Sequence, residues 1–81
     1  MTINEFRNAL NAAPFRPFVV HLADGQTIPV VHPDFVLVTG QGRTAIISRP
    51  DDDWFAIVDL LLISHLEVPA ETARVREEPR Q

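Results

Sequence analysis

The segment FVVHLADGQTIPV, residues 18–30, restricts the chain more than any other part of it. Apolar and polar residues alternate on either side of an Asp-Gly pair, the pattern of two strands joined by a tight turn. Two registers compete. A two-residue turn at Asp24 and Gly25 pairs Val20 with Pro29 and splits the apolar set between faces. A type I turn over Ala23 and Asp24, with Gly25 left-handed in a G1 bulge, pairs Leu22 with Gln26, Val20 with Ile28 and Phe18 with Val30. That register gathers Phe18, Val20, Leu22, Ile28 and Val30 on one face and is preferred. Val19, His21, Thr27, Pro29 and Val31 fall on the other face.

The remaining punctuation is as regular. Thr2 and Glu5 have the spacing of a capping box, and Ile3, Phe6, Leu10 and Ala13 follow at helical intervals. A helix is expected over residues 2–13, ended by Pro14, which pushes its predecessor out of the α region. So short a helix must dock its apolar stripe on something to persist. After the hairpin, His32, Pro33 and Asp34 interrupt the ladder, because Pro33 has no amide to donate. The orphan backbone groups there are expected to bond the His32 side chain. FVLVT resumes extended structure, GQG turns it, and RTAIIS and WFAIV follow on either side of the polar loop RPDDD. One 3₁₀ turn over residues 59–62 is expected before ISHLEV, the last strand. The fold class is mainly β (α+β): an N-terminal helix, then five or six short antiparallel strands over residues 17–68. These make a strongly bent sheet or small barrel, SH3-like or Sm-like.

Eighty-one residues allow one domain, assigned to residues 1–69, close to the size where a single core is only just sufficient. There is no cysteine, so neither disulfides nor thiolate metal sites staple it. Residues 70–81 are polar and lack a core face, and a disordered tail is expected. Charged Glu5 and Arg7 stand where a secretory leader would be apolar, and the longest aliphatic run, LLLI, cannot span a bilayer. A cytoplasmic location is the expectation.

PFRPF, HLADGQ, VVHPDF, RTAII and VDLLLISHLEV together resemble a family of short, uncharacterised bacterial proteins. Its pattern runs roughly PFxPFxxxLxDG, then V-x-HP-[DE]-F, then I-D-x-x-x-I-x-x-[IL]-E. The resemblance spans residues 3–68, with the HP-D-F segment its most specific piece, and it implies the strand order above but no activity. The helix-then-barrel order is also similar to the Sm fold. Sm proteins hold RNA through an Asp and an Asn soon after the first hairpin; this chain offers only Asp34 there, and no asparagine beyond Asn11. The fold likeness therefore transfers no functional residues.

Chemistry-bearing residues are sparse. His21, His32 and His65 have spacings that match no compact ligand motif, so no metal and no cofactor is expected. Asp51, Asp52 and Asp53 are contiguous, whereas calcium loops alternate their ligands; a solvated loop is the better reading. Ser64 and His65 are adjacent on an expected strand, so they should point to opposite faces and fail as a nucleophile–base pair. PFRPF contains a P-x-x-P core, yet it lies between helix and strand and reads as scaffold, Phe15 lidding one end and Phe18 pointing inside.

What remains is surface. Val19, His21, Pro29, Val31 and Trp54 form the candidate interface; Trp54 and Phe55 are adjacent on one expected strand, so one of the two should point outward. The leading function is a non-enzymatic protein–protein interaction module, a homo-oligomer or an adaptor for a larger bacterial partner. An Sm-like RNA-binding protein acting through Arg16, Arg43 and Arg49 is the alternative, and a regulatory partner inhibiting an enzyme is weaker still.

Net charge is −4, and residues 1–69 carry the whole deficit, four arginines facing eight carboxylates. Binding to nucleic acid draws chiefly on cationic contacts to phosphate. The expected outcome is no retention of RNA or DNA at physiological salt in filter binding. Micromolar binding that weakens steeply with added salt would contradict this.

Overall fold

The capping box forms. The Glu5 amide donates to Thr2 Oγ1 at 3.2 Å and the Thr2 amide donates to Glu5 Oε1 at 3.1 Å, opening helix α1, Ile3–Leu10. The computed structural model describes residues 1–70, so the tail expected at residues 70–81 lies almost wholly outside the described residues. Helix α1 stops short of the expected residue 13. Ala12 and Ala13 are exposed, and a last turn with nothing to bury has no packing to hold it. Phe6 is the helix residue that disappears completely, with Ile3, Ala9 and Leu10 packed beside it.

Six strands follow: β1 Phe18–Leu22, β2 Thr27–Val30, β3 Val36–Val38, β4 Thr44–Ser48, β5 Phe55–Asp59 and β6 Ile63–Glu67. They form two antiparallel three-stranded sheets, ordered β2-β1-β6 and β3-β4-β5, and with one helix the protein is α+β and mostly β. The hairpin takes the bulged register, Phe18 opposite Val30 and Val20 opposite Ile28. Its turn closes with the Gly25 amide donating to Leu22 O at 2.9 Å, and Gly25 has φ of 94°, which side-chain-bearing residues resist. Gly42 turns β3 into β4 with φ of 73°; a Cβ there would sit 3.0 Å from Ile3 Cγ1, so the turn and the helix meet through the missing side chain.

The division into two sheets comes at His32, Pro33 and Asp34. His32 Nδ1 accepts from the Asp34 amide at 3.1 Å and caps a 3₁₀ turn, Pro33–Phe35, which swings β3 away from β2. A second 3₁₀ turn, Leu60–Leu62, is capped by Asp59 Oδ1, which accepts from the Leu61 amide, and it redirects the chain into β6. The inward faces of both sheets and Phe6 supply the core: Phe18, Val20, Ile28, Val30, Ala45, Ile47, Val58, Leu60 and Ile63, with no buried polar side chain among the described residues. Leu22 is half-buried at its margin. Phe6 meets Phe18 edge to face, ring centroids 6.2 Å apart and planes at 84°. Phe15 lies over the same ring at 6.0 Å and reaches the His32 ring at 6.1 Å, covering the bend end of the core.

Removing a buried phenylalanine costs about 3–5 kcal/mol, a large part of what a domain of this size holds. Phe18→Ala is therefore expected to abolish cooperative urea unfolding or move its midpoint close to zero denaturant. Ile57→Thr, at a 69% exposed position, should shift stability by less than about 0.5 kcal/mol. Equal losses from the two substitutions would contradict the burial.

Candidate functional site

The outer face of the first sheet is more polar than residues 18–31 imply. Strand β6 pairs with β1 so that Glu67 lies opposite Val19 and His65 opposite His21. The His21 and His65 rings stack with centroids 4.2 Å apart and planes 12° from parallel. His21 Nε2 donates to Glu67 Oε1 at 2.8 Å. Val19 and His21 are thus half-buried under their neighbours, while Pro29 and Val31 stay exposed.

The expectation that Ser64 and His65 face opposite ways does not hold. The ladder shifts by one residue between His21 and Leu22, making a β-bulge that inserts Ser64 ahead of His65. Two residues then oppose one, and their side chains crowd to the same side: Ser64 Oγ lies 3.1 Å from His65 Nδ1. The hydroxyl also donates its one proton to His21 O at 3.1 Å. Its contact with Nδ1 is then an acceptance, so His65 donates to Ser64 and does not act as its base. Glu67 meanwhile engages the other histidine. The four residues clasp β6 to β1.

The outer face of the second sheet is different. Leu37, Ile46 and Ile57 oppose one another across β3, β4 and β5, with Phe55 opposite Ser48 one step along. Leu37, Phe55 and Ile57 are 63%, 59% and 69% exposed. No charge interrupts this row, and Asp59 marks its end. Sequence reasoning placed the open face on β1 and β2 and overlooked Leu37 and Ile57. The alternation of AIIS against FAIVD carried the information, since Ala45, Ile47 and Val58 face inward and leave Ile46 and Ile57 outside.

Trp54 lies apart from both faces. It precedes β5, and the expectation that only one of Trp54 and Phe55 points outward is corrected: both are exposed. The Arg49 guanidinium sits 4.3 Å from the centre of the Trp54 ring. Asp52 organises this loop, taking both Arg49 Nε at 3.2 Å and Nη2 at 2.9 Å, and accepting from the Trp54 amide at 3.1 Å. Arg16 is likewise engaged, donating to Pro69 O at 2.8 Å. Two of the three arginines considered for RNA thus have partners inside the chain.

The structure brings His21 and His65 together and leaves His32 at the bend beside Phe15 and Phe35. Among the described residues no group of three or more His, Asp or Glu side chains has a metal-holding arrangement. A small apolar hollow opens beside the hairpin turn, lined by Leu22, Ala23, Asp24 and Leu62. No helix of the described residues is long and apolar enough to cross a membrane. Comparison with protein-family models, curated proteins and solved structures finds no match for the chain.

Trp54 is the one tryptophan, so its fluorescence reports the RPDDD loop. The Trp54 amide and then the Arg49 guanidinium hold the Asp52 carboxyl below the ordinary aspartate range. A carboxylate depressed in the fold adds stability that is complete above its unfolded pKa of about 3.9 and fades as pH falls through the folded value. Emission should stay constant from pH 7 to about 4 and change only below that, whereas Asp52→Asn should show the altered spectrum at pH 7. An Asp52→Asn spectrum identical to the native one at pH 7 would remove Asp52 from this role.

Proposed function

We propose that the protein is a non-enzymatic interaction module that binds another protein chain through the outer face of β3, β4 and β5. The observation that carries this reading is the uninterrupted apolar row of Leu37, Ile46 and Ile57 with Phe55 beside it. Aliphatic and aromatic side chains with charges only at the margin are the composition of interface centres. The polar residues of the first sheet support the same reading by contrast, since they satisfy one another within the chain.

The fold reading that accompanies it is an SH3-like or Sm-like small barrel. Strand order β6-β1-β2 continues as β3-β4-β5 across the Pro33 bend, one helix caps the core, and one 3₁₀ turn precedes the last strand. Such barrels hold a rigid outer surface on a minimal core, which suits an adaptor or a homo-oligomeric unit.

A photoreactive residue tests this directly. Leu37→benzoylphenylalanine, irradiated in cells, should yield adducts with protein, its own chain or another. Thr27→benzoylphenylalanine, on the first sheet, should yield few. Absence of protein adducts from position 37, or adducts to RNA instead, would overturn the reading.

A further inference from the structure

We propose that the partner is a second copy of this chain, joined through β5 edge to edge and antiparallel about a two-fold axis at Ile57. This rests on the protein-binding reading above and supplies the occupant of the β5 edge beside that surface, the two outer faces then forming one wider apolar surface.

Each sheet leaves two edges, and three of the four carry a feature that discourages strand addition. On β2 the hydrogen-bond phase is set by the Leu22 amide donating to Gln26 O at 2.9 Å. Alternation from there turns the backbone of Thr27 and Pro29 away from β1, so the position that should offer an N–H is a proline. Strand β6 is broken by the bulge at Ser64. Strand β3 has three residues, and the Val36 amide at its start already donates to Pro33 O. Strand β5 has five residues, no proline and no bulge, and β4 is its one partner among the described residues.

The phase of β5 is equally determined. The Leu60 amide donates to Arg43 O at 2.9 Å, so alternation directs Ala56 and Val58 toward β4 and turns the N–H and C=O of Phe55 and Ile57 to the open edge. A two-fold axis at Ile57 then brings each Ile57 opposite its mate in a hydrogen-bonded pair. Phe55 falls opposite the mate's Asp59. The two Asp59 carboxylates are held four residues apart along the strands, about 13 Å, so the one charge on the edge does not meet its own kind. Most tellingly, the pairing fuses two apolar rows: Leu37, Ile46 and Ile57 continue directly into Ile57, Ile46 and Leu37 of the mate, across six strands. An edge of five residues hides less than the ~1,200 Å² at the lower end of stable interfaces, the size class of weak and transient contacts.

Sedimentation equilibrium of the full chain, from ~5 μM to ~1 mM, is the test. Monomer of 9.1 kDa passing to dimer over this range is expected. Ile57→Lys, which sets two like charges against each other on the axis, should leave monomer throughout with an unchanged circular dichroism spectrum. Ile57→Cys, giving one thiol to a cysteine-free chain, should cross-link on mild oxidation at least tenfold faster than Thr27→Cys. Monomer at the highest concentration, a dimer that survives Ile57→Lys, or a larger head-to-tail ring would overturn the proposal. If self-association fails while position 37 still yields adducts to a foreign protein, the pairing is wrong and the interaction module stands. If neither occurs, both fall.

Discussion

Everything else in this protein depends on the contact between Phe18 and Phe6. Strand β1 is the one strand of the first sheet with neighbours on both sides, and Phe18 is its first inward residue. An eight-residue helix has no independent stability, and a three-stranded sheet with one bare face has little more. Each supplies what the other lacks: Phe6 closes the core over Phe18, and the edge-to-face rings fix the angle at which the helix lies. With no cysteine and no metal cluster among the described residues, this packing is the staple of the fold.

Building the core from two inward faces leaves two outward ones, and they are treated differently. The first is filled with groups that answer one another: stacked histidines, a carboxylate on one of them, a serine hydroxyl bridging to the backbone. The second has aliphatic residues that meet no partner among the described residues. Edge protection divides along similar lines, with proline on β2, a bulge on β6 and neither on β5. A protein this small cannot bury every aliphatic side chain that its strands need for β-propensity. Such residues, left outside beside an unprotected edge, are the physical basis of the association proposed above.

Irregular residues are responsible for the local chemistry that distinguishes the molecule. Pro33 ends the first ladder, and the His32 ring answers by accepting the Asp34 amide. Ser64, inserted as a bulge, brings its hydroxyl against the neighbouring imidazole although a regular strand would separate them. Asp52, central in a run of three aspartates, faces its own loop and holds Arg49 over Trp54.

Local order was legible in the sequence because it is decided by neighbours along the chain. The Thr2 and Glu5 capping box, the bulged turn at Gly25, the break at Pro33 and the 3₁₀ turn before β6 each depend on residues within a few positions of one another. The inward set of the hairpin followed from period-two alternation once its register was chosen. Which strands become neighbours is decided by the closing of the core, and no local pattern contains it. Pairing of β6 with β1 put Glu67 beside Val19 and so made polar the face that residues 18–31 alone present as apolar. Alignment of β3, β4 and β5 placed Leu37, Ile46 and Ile57 in one row, although nine and eleven residues separate them in turn. A face is a property of three strands at once, and only the tertiary structure assembles them.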